Sequence, residues 1–434
     1  MLFIATVINY ADRATLSIAG PSLAKDLALN ALQMGFVFSA FGWAYVLAQL
    51  PGGWLLDRFG SKRVYFVSIA LWSVFTFMQG GVHLLAGTAA LYTLFALRFL
   101  VGIAEAPSFP GNARIVATWF PASERGTASA IFNSAQYFAT ILFAPIMGWI
   151  TFTYGWPYVF YFMGALGLLF SVGWLRWVHN PLDHPRLQRA ELDHITSGGA
   201  IVDVDRRVGA TKSGTELRSA VATLLSSRMM WGIYLGQFTI NTLTYFFITW
   251  FPVYLVQERG LSILKAGLVA SIPAICGFVG GVLGGVWSDA LLRRKCSLTV
   301  ARKVPIVGGM LLSTIMIACN YVDTPWLVVA LMALSFFGKG VGALGWAVVS
   351  DTVPKQIAGL SGGLFNTFGN LSSITTPIVI GYIVHTTGSF DGALIFVGIN
   401  AVVATLSYLV ITGEIRRLEL KPLQGLEVAA THRP

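Results

Sequence analysis

Apolar stretches of membrane-crossing length alternate with short polar connections along the whole chain. A helix needs roughly 20 residues to cross ~30 Å of hydrocarbon, and irregular backbone cannot face lipid, so each stretch is predicted to be a helix. The segments of about ten alternating residues typical of an outer-membrane barrel are absent. The pattern predicts an all-α polytopic membrane protein with twelve transmembrane helices, at 1–22, 34–56, 64–82, 88–112, 126–152, 157–178, 230–255, 266–288, 304–321, 326–350, 358–384 and 390–412.

Composition and charge agree with that prediction. Of the 434 residues, 55% are hydrophobic and 11% are charged, whereas soluble domains carry about 25% charged residues. By the positive-inside rule, the clustering of Lys and Arg in alternate connections places both termini and the central loop in the cytoplasm. The net charge of +10 therefore reflects topology, and no nucleic-acid partner is expected. Of the 29 Lys and Arg, 23 lie in 57–63, 114–125, 176–229, 289–303, Lys355 and 414–434.

The chain repeats itself with a shift of 232–233 residues. The shift matches Asn9 with Asn241, Gly53 with Gly285, Asp57 with Asp289, Pro121 with Pro354, Gly126 with Gly359 and Gly148 with Gly381. Two halves related by a parallel repeat, with a site at the membrane midplane between them, are a transporter architecture. The predicted division is an N-terminal six-helix half (1–178), a cytoplasmic central loop (179–229), a C-terminal six-helix half (230–413) and a cytoplasmic tail (414–434).

The connection between spans two and three reads 53-GWLLDRFGSKR-63, and its repeat mate reads 285-GVWSDALLRRK-295. This pattern resembles the loop signature of the major facilitator superfamily, which implies a fold of two pseudo-symmetric halves. Gly53 is expected to permit close helix packing, Gly60 a tight turn, and Asp57 to accept bonds from a neighbouring helix N-terminus. Breaking such contacts would accompany the switch between inward-open and outward-open states. The candidate switch residues are Gly53, Asp57, Arg58, Gly60, Lys62, Arg63 and Asp289.

Four charged residues lie inside the predicted spans of the N-terminal half: Asp12, Arg13, Arg98 and Glu105. A charge at the bilayer centre costs at least ~2.5–3.5 kcal/mol, so each needs an explanation. Arg98 and Glu105 share one helix face, while Asp12 points roughly 100° away from Arg13, so that Asp12 could face span four and Arg13 a cavity. The repeat mates are Thr244, Tyr245, Leu331 and Gly338. None is charged, which favours a role in coupling over the alternative of ion pairs that only fix helix packing.

The nature of the cargo follows from the charges. Glu105 has no obvious neutralising neighbour, and burial favours the protonated form of such a carboxyl group, so Glu105 is expected to bind and release a proton. The cavity is then net positive and suits an anion. Lys339, in the middle of span ten, is too central to snorkel and is predicted to face the cavity opposite the arginines, with Trp346 on the same helix face. One cationic pole in each half suits a cargo with a carboxylate at each end.

Neutral hydrogen-bonding groups lie at cavity-like positions between the two poles. Amides and phenols match a row of hydroxyls, and with Trp346 as an apolar wall they indicate a polyhydroxylated acid. Each one alone could equally be a contact between helices. The group comprises Tyr10, Tyr45, Gln136, Gln237, Asn241, Asn366 and Asn370.

Longer motifs narrow the resemblance. Among them, NYADRATLSIAG, GIAEAPSFPGNARIVATWFP, FNSAQYFA and FFGKGVGALGWAV resemble the anion:cation symporter family and, within it, bacterial glucarate/galactarate permeases, close to galactonate:proton symporters. The resemblance implies symport of a sugar acid with protons across the bacterial inner membrane, with proton handling by Asp12 and Glu105. Galactonate carriers have asparagine where this chain has Lys339, which favours a diacid. The resemblance implies substrate contacts at Tyr10, Arg13, Tyr45, Arg98, Gln136, Gln237, Trp346 and Asn366.

The sequence therefore predicts a monomeric secondary transporter that imports a hexarate dicarboxylate by proton symport with alternating access. An anion exchanger or facilitator for a monocarboxylate sugar acid, galactonate or hexuronate, is the alternative, and a membrane sensor is the non-transport alternative. No enzymatic activity is expected, since the hydrolase-like 359-GLSGG-363 has no reachable histidine. No cofactor besides the coupling proton and no metal are expected, because nucleotide-binding and metal-ligand patterns are absent.

Overall fold

A computed structural model describes residues 1–121, 124–203, 214–353 and 357–418, and every regular element within those ranges is helical. The first half contains α1 (Leu2–Asp26), α2 (Ala31–Phe59), α3 (Ser61–Gly80), α4 (Gly87–Glu105), α5 (Ser108–Trp119), α6 (Arg125–Tyr154) and α7 (Trp156–Trp177). Two short helices follow in the central loop, α8 (Arg189–Ser197) and α9 (Gly214–Ser226).

The second half contains α10 (Arg228–Tyr245), α11 (Phe251–Gln257), α12 (Ile263–Arg293), α13 (Leu298–Ser313), α14 (Pro325–Val341), α15 (Gly345–Thr352), α16 (Ala358–Asn370), α17 (Ser372–Thr387) and α18 (Asp391–Leu406). Shorter 3-10 helices span Gly81–Leu84, Pro181–Asp183 and Thr314–Tyr321, and π-helical turns span Phe246–Trp250 and Ser407–Ile411.

All twelve predicted spans are helical. In the described residues, eleven helical segments are long and apolar enough to cross a membrane, and they coincide with predicted spans two to twelve. The first span is the 25-residue helix α1, which is less apolar because it carries Asn9, Asp12 and Arg13. Almost every residue of α1 from Ala5 to Ala24 is buried among other helices, so α1 needs no apolar face toward lipid.

Four spans are interrupted near mid-membrane, which the apolar pattern did not predict. The fourth breaks after Glu105 at Pro107, which has no N–H to continue the helix, and the tenth breaks between α14 and α15. The eleventh breaks at Leu371, and the seventh contains the π-helical turn Phe246–Trp250. Interrupted helices at this depth are typical of transporter binding sites.

The helices of each half pack mainly on one another. In the first half α1 packs on α6, α2 on α4 and α3 on α7, and in the second half α10 packs on α16 and α18 and α12 on α14. The halves touch each other mainly through two helix pairs, α2 with α17 and α6 with α12, and α1 adds smaller contacts with α11, α12 and the turn Phe246–Trp250. The two main contacts are equivalent under the sequence repeat, which accounts for the pseudo-symmetric architecture.

Paired glycines bring the two halves together at one end of the bundle. A Cβ atom built on Gly35 would lie 3.3 Å from the Cα of Gly381, and one built on Gly267 would lie 3.1 Å from the Cα of Gly148. The repeat shift relates Gly35 to Gly267 and Gly148 to Gly381, so the two contacts are the same contact made twice. We call this end the closed face.

The opposite end, where α2 meets α3, carries the basic connections and is called the basic face. Gly60 joins the two helices alone with φ +78°, a conformation that favours glycine, which confirms the tight turn predicted there. The central loop, predicted only as a polar stretch, folds back here, with the Ile201 N–H bonded to the Ala117 carbonyl at 3.0 Å. The division at 178, 229 and 413 stays a prediction, and Pro354, Lys355 and the tail beyond 418 lie outside the described residues.

Candidate functional site

A central cavity of about 610 Å³ lies between the two halves. Its wall follows α12 from Gly281 to Asp289, so the cavity reaches the basic face, while the glycine contacts seal the closed face. Ten of the eleven predicted substrate residues line it: Tyr10, Arg13, Tyr45, Gln136, Gln237, Asn241, Lys339, Trp346, Asn366 and Asn370. Arg98, the eleventh, does not.

Arg13 projects from α1 into the cavity wall and forms an ion pair with Glu105. Its Nε lies 2.9 Å from the Glu105 Oε2, and Glu105 is fully buried. The Arg13 guanidinium carbon lies 4.5–4.9 Å from the ring centroids of Tyr10, Phe41 and Tyr45, contacts that favour a cation. The prediction that Glu105 lacks a neutralising neighbour is wrong: the helix break after Glu105 places its carboxylate against Arg13.

Asp12 and Arg98 lie behind Arg13, away from the cavity. The Thr76 hydroxyl on α3 donates to the Asp12 Oδ2 at 2.7 Å, and Arg98 donates through Nη2 to the Arg13 carbonyl oxygen at 2.9 Å. Asp12 therefore bonds to span three, and its attraction to Arg98 of span four is electrostatic only, so the expected orientation toward span four stays a prediction. The prediction that Arg98 contacts a ligand in the cavity is wrong for this conformation. Arg98 is 4% exposed and bonds to the backbone of Arg13 instead.

Lys339 supplies the cation of the second half. It lies near the end of α14 with 5% exposure, and its Nζ is 5.2 Å from the ring centroid of Phe336 and 5.7 Å from that of Tyr137. Within the described ranges no carboxylate pairs with it. Trp346 is 52% exposed toward the cavity and packs edge-on against Phe365 at 4.9 Å, which provides the predicted apolar wall.

Amides of α10 and α16 form the polar wall of the second half. Gln237 donates to Asn241 at 3.1 Å, and Asn370 donates to the Oδ1 of Asn366 at 2.9 Å. The Tyr245 hydroxyl donates to the Asn370 Oδ1 at 2.7 Å. Both amide pairs have i, i+4 spacing along one helix face, so the wall presents a continuous row of hydrogen-bonding groups.

Several lining residues were not predicted from the sequence, including Tyr245, Tyr137, Phe109 and Asn133. Tyr245 is the repeat mate of Arg13, so the repeat carried a signal: the position that faces the cavity in one half faces it in the other. Phe109 follows the break in span four, and Pro107 was its signal. No pattern in the sequence distinguishes Tyr137 from a core aromatic residue.

The two switch loops are held by ion pairs at the basic face. Asp57 pairs with Arg114 on α5, where the sequence pattern predicted a helix N-terminus as partner. Its repeat mate Asp289 lies 3.8 Å from Arg302, which binds Asp351 more closely at 2.7 Å. Each loop therefore has an aspartate at the equivalent repeat position, but the ion pair of Asp57 is closer than that of Asp289.

The expected packing role of Gly53 is wrong in this conformation. A Cβ atom at Gly53 would meet nothing within 4 Å, whereas one at Gly52 would lie 3.1 Å from the backbone nitrogen of Pro107. Gly52 is thus the position of close approach, next to the break in span four. The remaining basic residues of the loop are exposed or partly exposed: Arg58, Lys62 and Arg63.

Comparisons with known proteins agree with this fold. A family model described as Major Facilitator Superfamily matches residues 2–301. The chain is 63% identical over 426 residues to the probable galactarate/D-glucarate transporter GudP of Escherichia coli (strain K12), covering 98% of this chain and 95% of that protein. It is 40% identical over 418 residues to a D-galactonate transporter of Escherichia coli O6:H1, covering 96% and 95%.

Among solved structures, the fold is similar to a bacterial homologue of the human lysosomal transporter Spinster in an inward-facing and unoccupied conformation. The TM-score is 0.73 at 16% identity, and 95% of each chain is covered, a likeness that concerns the fold alone. Both sequence relatives are transporters, and neither is an enzyme. The chain belongs to the major facilitator superfamily and is a multi-pass membrane transporter.

Proposed function

We propose that this protein imports a hexarate dicarboxylate, glucarate or galactarate, by proton symport with alternating access. The observation that carries the proposal is a cavity with Arg13 on one wall, Lys339 on the other, and a row of amides and phenols between them. A hexarate has a carboxylate at each end and hydroxyls along its length, so its functional groups match that order. The name of the 63% identical relative points to the same substrates.

The Arg13–Glu105 pair provides the coupling. While Glu105 is ionised, it occupies the Nε of Arg13 at 2.9 Å and competes with a cargo carboxylate for the same guanidinium. Protonation of Glu105 removes that competitor, and the released guanidinium can bind a carboxylate through a fork of donors. Proton binding and anion binding therefore favour each other, as symport requires.

Asp12 and Arg98 act from behind this pair. Arg98 holds the Arg13 backbone at 2.9 Å, and Asp12 with its Thr76 partner balances the charge of Arg98. Protonation of Asp12 would leave Arg98 uncompensated and change how firmly the α1 backbone is held. Asp12 is thus the second proton-handling carboxylate of the proposal, and acts through Arg98.

Alternating access requires a second conformation in which the cavity opens at the closed face. The paired glycine contacts would separate, and the loops at Asp57 and Asp289 would approach each other at the basic face. Basic connections mark the cytoplasmic side of membrane proteins, so we place both termini in the cytoplasm of a bacterial inner membrane and identify the present conformation as inward-open. The transport pathway lies within one chain, which is consistent with a functional monomer.

The alternative, an exchanger or facilitator for a monocarboxylate, is favoured by the 40% identity to a D-galactonate transporter. Lys339 argues against it, since a monocarboxylate would leave a nearly buried amine without a counter-charge, which is costly. In this proposal Glu105 determines whether transport is coupled to protons, and Lys339 determines whether a dicarboxylate or a monocarboxylate is preferred. The two can therefore be tested separately.

The test is uptake of labelled glucarate by proteoliposomes with and without an inward proton gradient. We expect the wild type to accumulate glucarate only with the gradient, and Glu105→Gln, which resembles the protonated form permanently, to retain exchange but lose accumulation. Glu258→Gln, at an exposed glutamate of the closed face, serves as the matched control and should transport normally. Wild-type uptake that ignores the gradient, or normal accumulation by Glu105→Gln, would contradict proton coupling through Glu105.

A further inference from the structure

A column of polar residues runs through the first half from the Arg13–Glu105 pair toward the basic face, outside the central cavity. Its members come from four different spans and none of them lines the cavity. Five are buried and Gln49 is partly buried. The members of this polar column are Thr6, Asn9, Gln49, Tyr65, Ser108 and Asn112.

The lower part of the polar column is hydrogen bonded from helix to helix. The Tyr65 hydroxyl donates to the Asn112 Oδ1 at 2.8 Å, and the Asn112 Nδ2 donates to the Thr6 hydroxyl at 3.2 Å. The Thr6 hydroxyl donates in turn to the Leu2 carbonyl at 2.9 Å, in the first turn of α1. This part of the column therefore ends at the basic face, and above it the Ser108 hydroxyl is buried without a hydrogen-bond partner within the described ranges.

The upper part contains polar atoms that no described residue satisfies. Both side-chain polar atoms of Asn9, the Nε2 of Gln49 and the Oε1 of Glu105 are buried without a hydrogen-bond partner within the described ranges. Each such atom costs roughly 1–3 kcal/mol, and bridging water is the usual remedy where several polar groups converge. Asn112 follows Glu105 by seven residues across the break in span four, and waters that satisfy the upper part would link the two.

Glu105 also needs a way to exchange its proton. It is fully buried and absent from the cavity wall, and the Arg13 side chain lies between its carboxylate and the cavity. A proton leaving toward the cavity would have to pass this guanidinium and, in the loaded state, the cargo. The charged and titratable groups around Glu105 are Asp12, Arg13, Arg98, Tyr45, Tyr65 and Tyr245, and of these Tyr65 belongs to the polar column.

Resting on the proposed function, we propose that the polar column is the proton exit route, separate from the cavity through which the anion leaves. The proton leaves the Glu105 carboxyl group as Arg13 re-forms its ion pair, passes along waters held by Asn9 and Gln49, and reaches solvent along waters oriented by the lower column. Each water accepts one proton and gives one up, while the amides of Asn9, Gln49 and Asn112 only orient the waters. The net change is one proton moved from the carboxyl group to solvent at the basic face.

The test compares two transport modes in Asn112→Leu and in the milder Tyr65→Phe. Gradient-driven accumulation of labelled glucarate requires proton release on every cycle, whereas glucarate exchange at equal concentrations lets the carrier return with its proton bound. We expect accumulation to slow about tenfold and exchange to stay within about twofold. The control is Ser335→Ala, which removes a buried interhelical bond of 2.9 Å to the Ser313 carbonyl in the other half and should affect neither mode.

The remaining outcomes would each overturn the proposed proton route. Unchanged accumulation in both variants would exclude the polar column as the route, and an equal fall of accumulation and exchange would make these residues packing contacts only. If the wild type accumulates glucarate without any proton gradient, the proposed symport itself fails and the route fails with it. That result is visible before any variant is measured.

Discussion

The two halves share one architecture but differ in the polar side chains that they bury. In the first half four charged side chains are buried near one another: Arg13 pairs with Glu105 at 2.9 Å, Arg98 donates to the Arg13 carbonyl oxygen, and Asp12 accepts from Thr76. In the second half the equivalent positions are uncharged, and neutral amides bond to one another around a single cation, Lys339. The first half therefore carries paired ionisable groups, and the second half carries neutral hydrogen-bonding groups and Lys339 along the cavity.

This difference assigns separate tasks to the two halves. A charge pair in a water-poor environment changes its contacts when one proton is added, because the pairing energy is large there. A network of neutral amides does not respond to protons in the physiological range. We therefore expect substitutions in the second half to change which anion is bound, and those in the first half to change whether binding is coupled to protons.

The largest effect that follows from this comparison is at Lys339. Lys339→Asn should raise the KM for glucarate about 100-fold, since losing one partner of a desolvated charge pair costs about 2–5 kcal/mol. D-galactonate, with only one carboxylate, should be affected much less. Uptake of both labelled substrates by the same proteoliposomes measures the ratio, with Lys265→Gln, an exposed lysine on α12, as control. An equal rise in KM for both anions would show that Lys339 does not bind the second carboxylate.

The glycine contacts of the closed face allow the pseudo-symmetry itself to be tested. Gly35→Ala and Gly267→Ala each place a methyl group against the opposing helix, and such overpacking costs about 1–3 kcal/mol. Each should disfavour the inward-open state and shift the population about tenfold toward outward-open, measured by labelling of cysteines introduced at the closed face. Gly81→Ala, at a glycine between α3 and α4 with nothing within 4 Å, is the control. A shift in only one of the two variants would mean that the two contacts are not equivalent.

Much of this contrast between the halves was accessible from the sequence. Membrane spans follow from apolar length, and polar residues inside spans identified ten of the cavity-lining residues, because their burial in lipid would be too costly. The repeat showed that the four charges of the first half have uncharged mates in the second. These residues could be predicted because a polar side chain facing lipid is energetically costly, and no local motif was needed.

What the sequence could not provide depends on how helices are rotated and broken. The pairing of Glu105 with Arg13 joins residues 92 positions apart and requires a particular angle between α1 and α4. Arg98 was expected at the cavity from the family resemblance, and depth along a helix could not show that its side chain faces α1. Pro107 signalled one break, but the break at Leu371 has no comparable signal, since leucine is a good helix former.

A smaller effect is expected at Tyr245, the uncharged repeat mate of Arg13. Tyr245→Phe removes the 2.7 Å bond to Asn370 and should weaken glucarate binding about fivefold, the equivalent of roughly 1 kcal/mol for one hydrogen bond. The proton dependence of uptake should not change, because this residue belongs to the half that does not exchange charge. Phe247→Leu, at a buried aromatic residue of the same span, is the matched control. A changed response to the proton gradient in Tyr245→Phe would contradict the division of tasks.

The smallest effect separates the two switch loops. Asp57 pairs with Arg114, whereas Asp289 lies 3.8 Å from Arg302, which binds Asp351 more closely at 2.7 Å. Exposed ion pairs contribute about 0.2–1 kcal/mol, so Asp57→Asn should slow uptake roughly threefold and Asp289→Asn hardly at all, at unchanged KM. Both rates are measured at saturating glucarate, where conformational exchange limits turnover. An equal loss in the two variants would mean that both loops act in another conformation, in which Asp289 makes a contact as firm as that of Asp57 with Arg114.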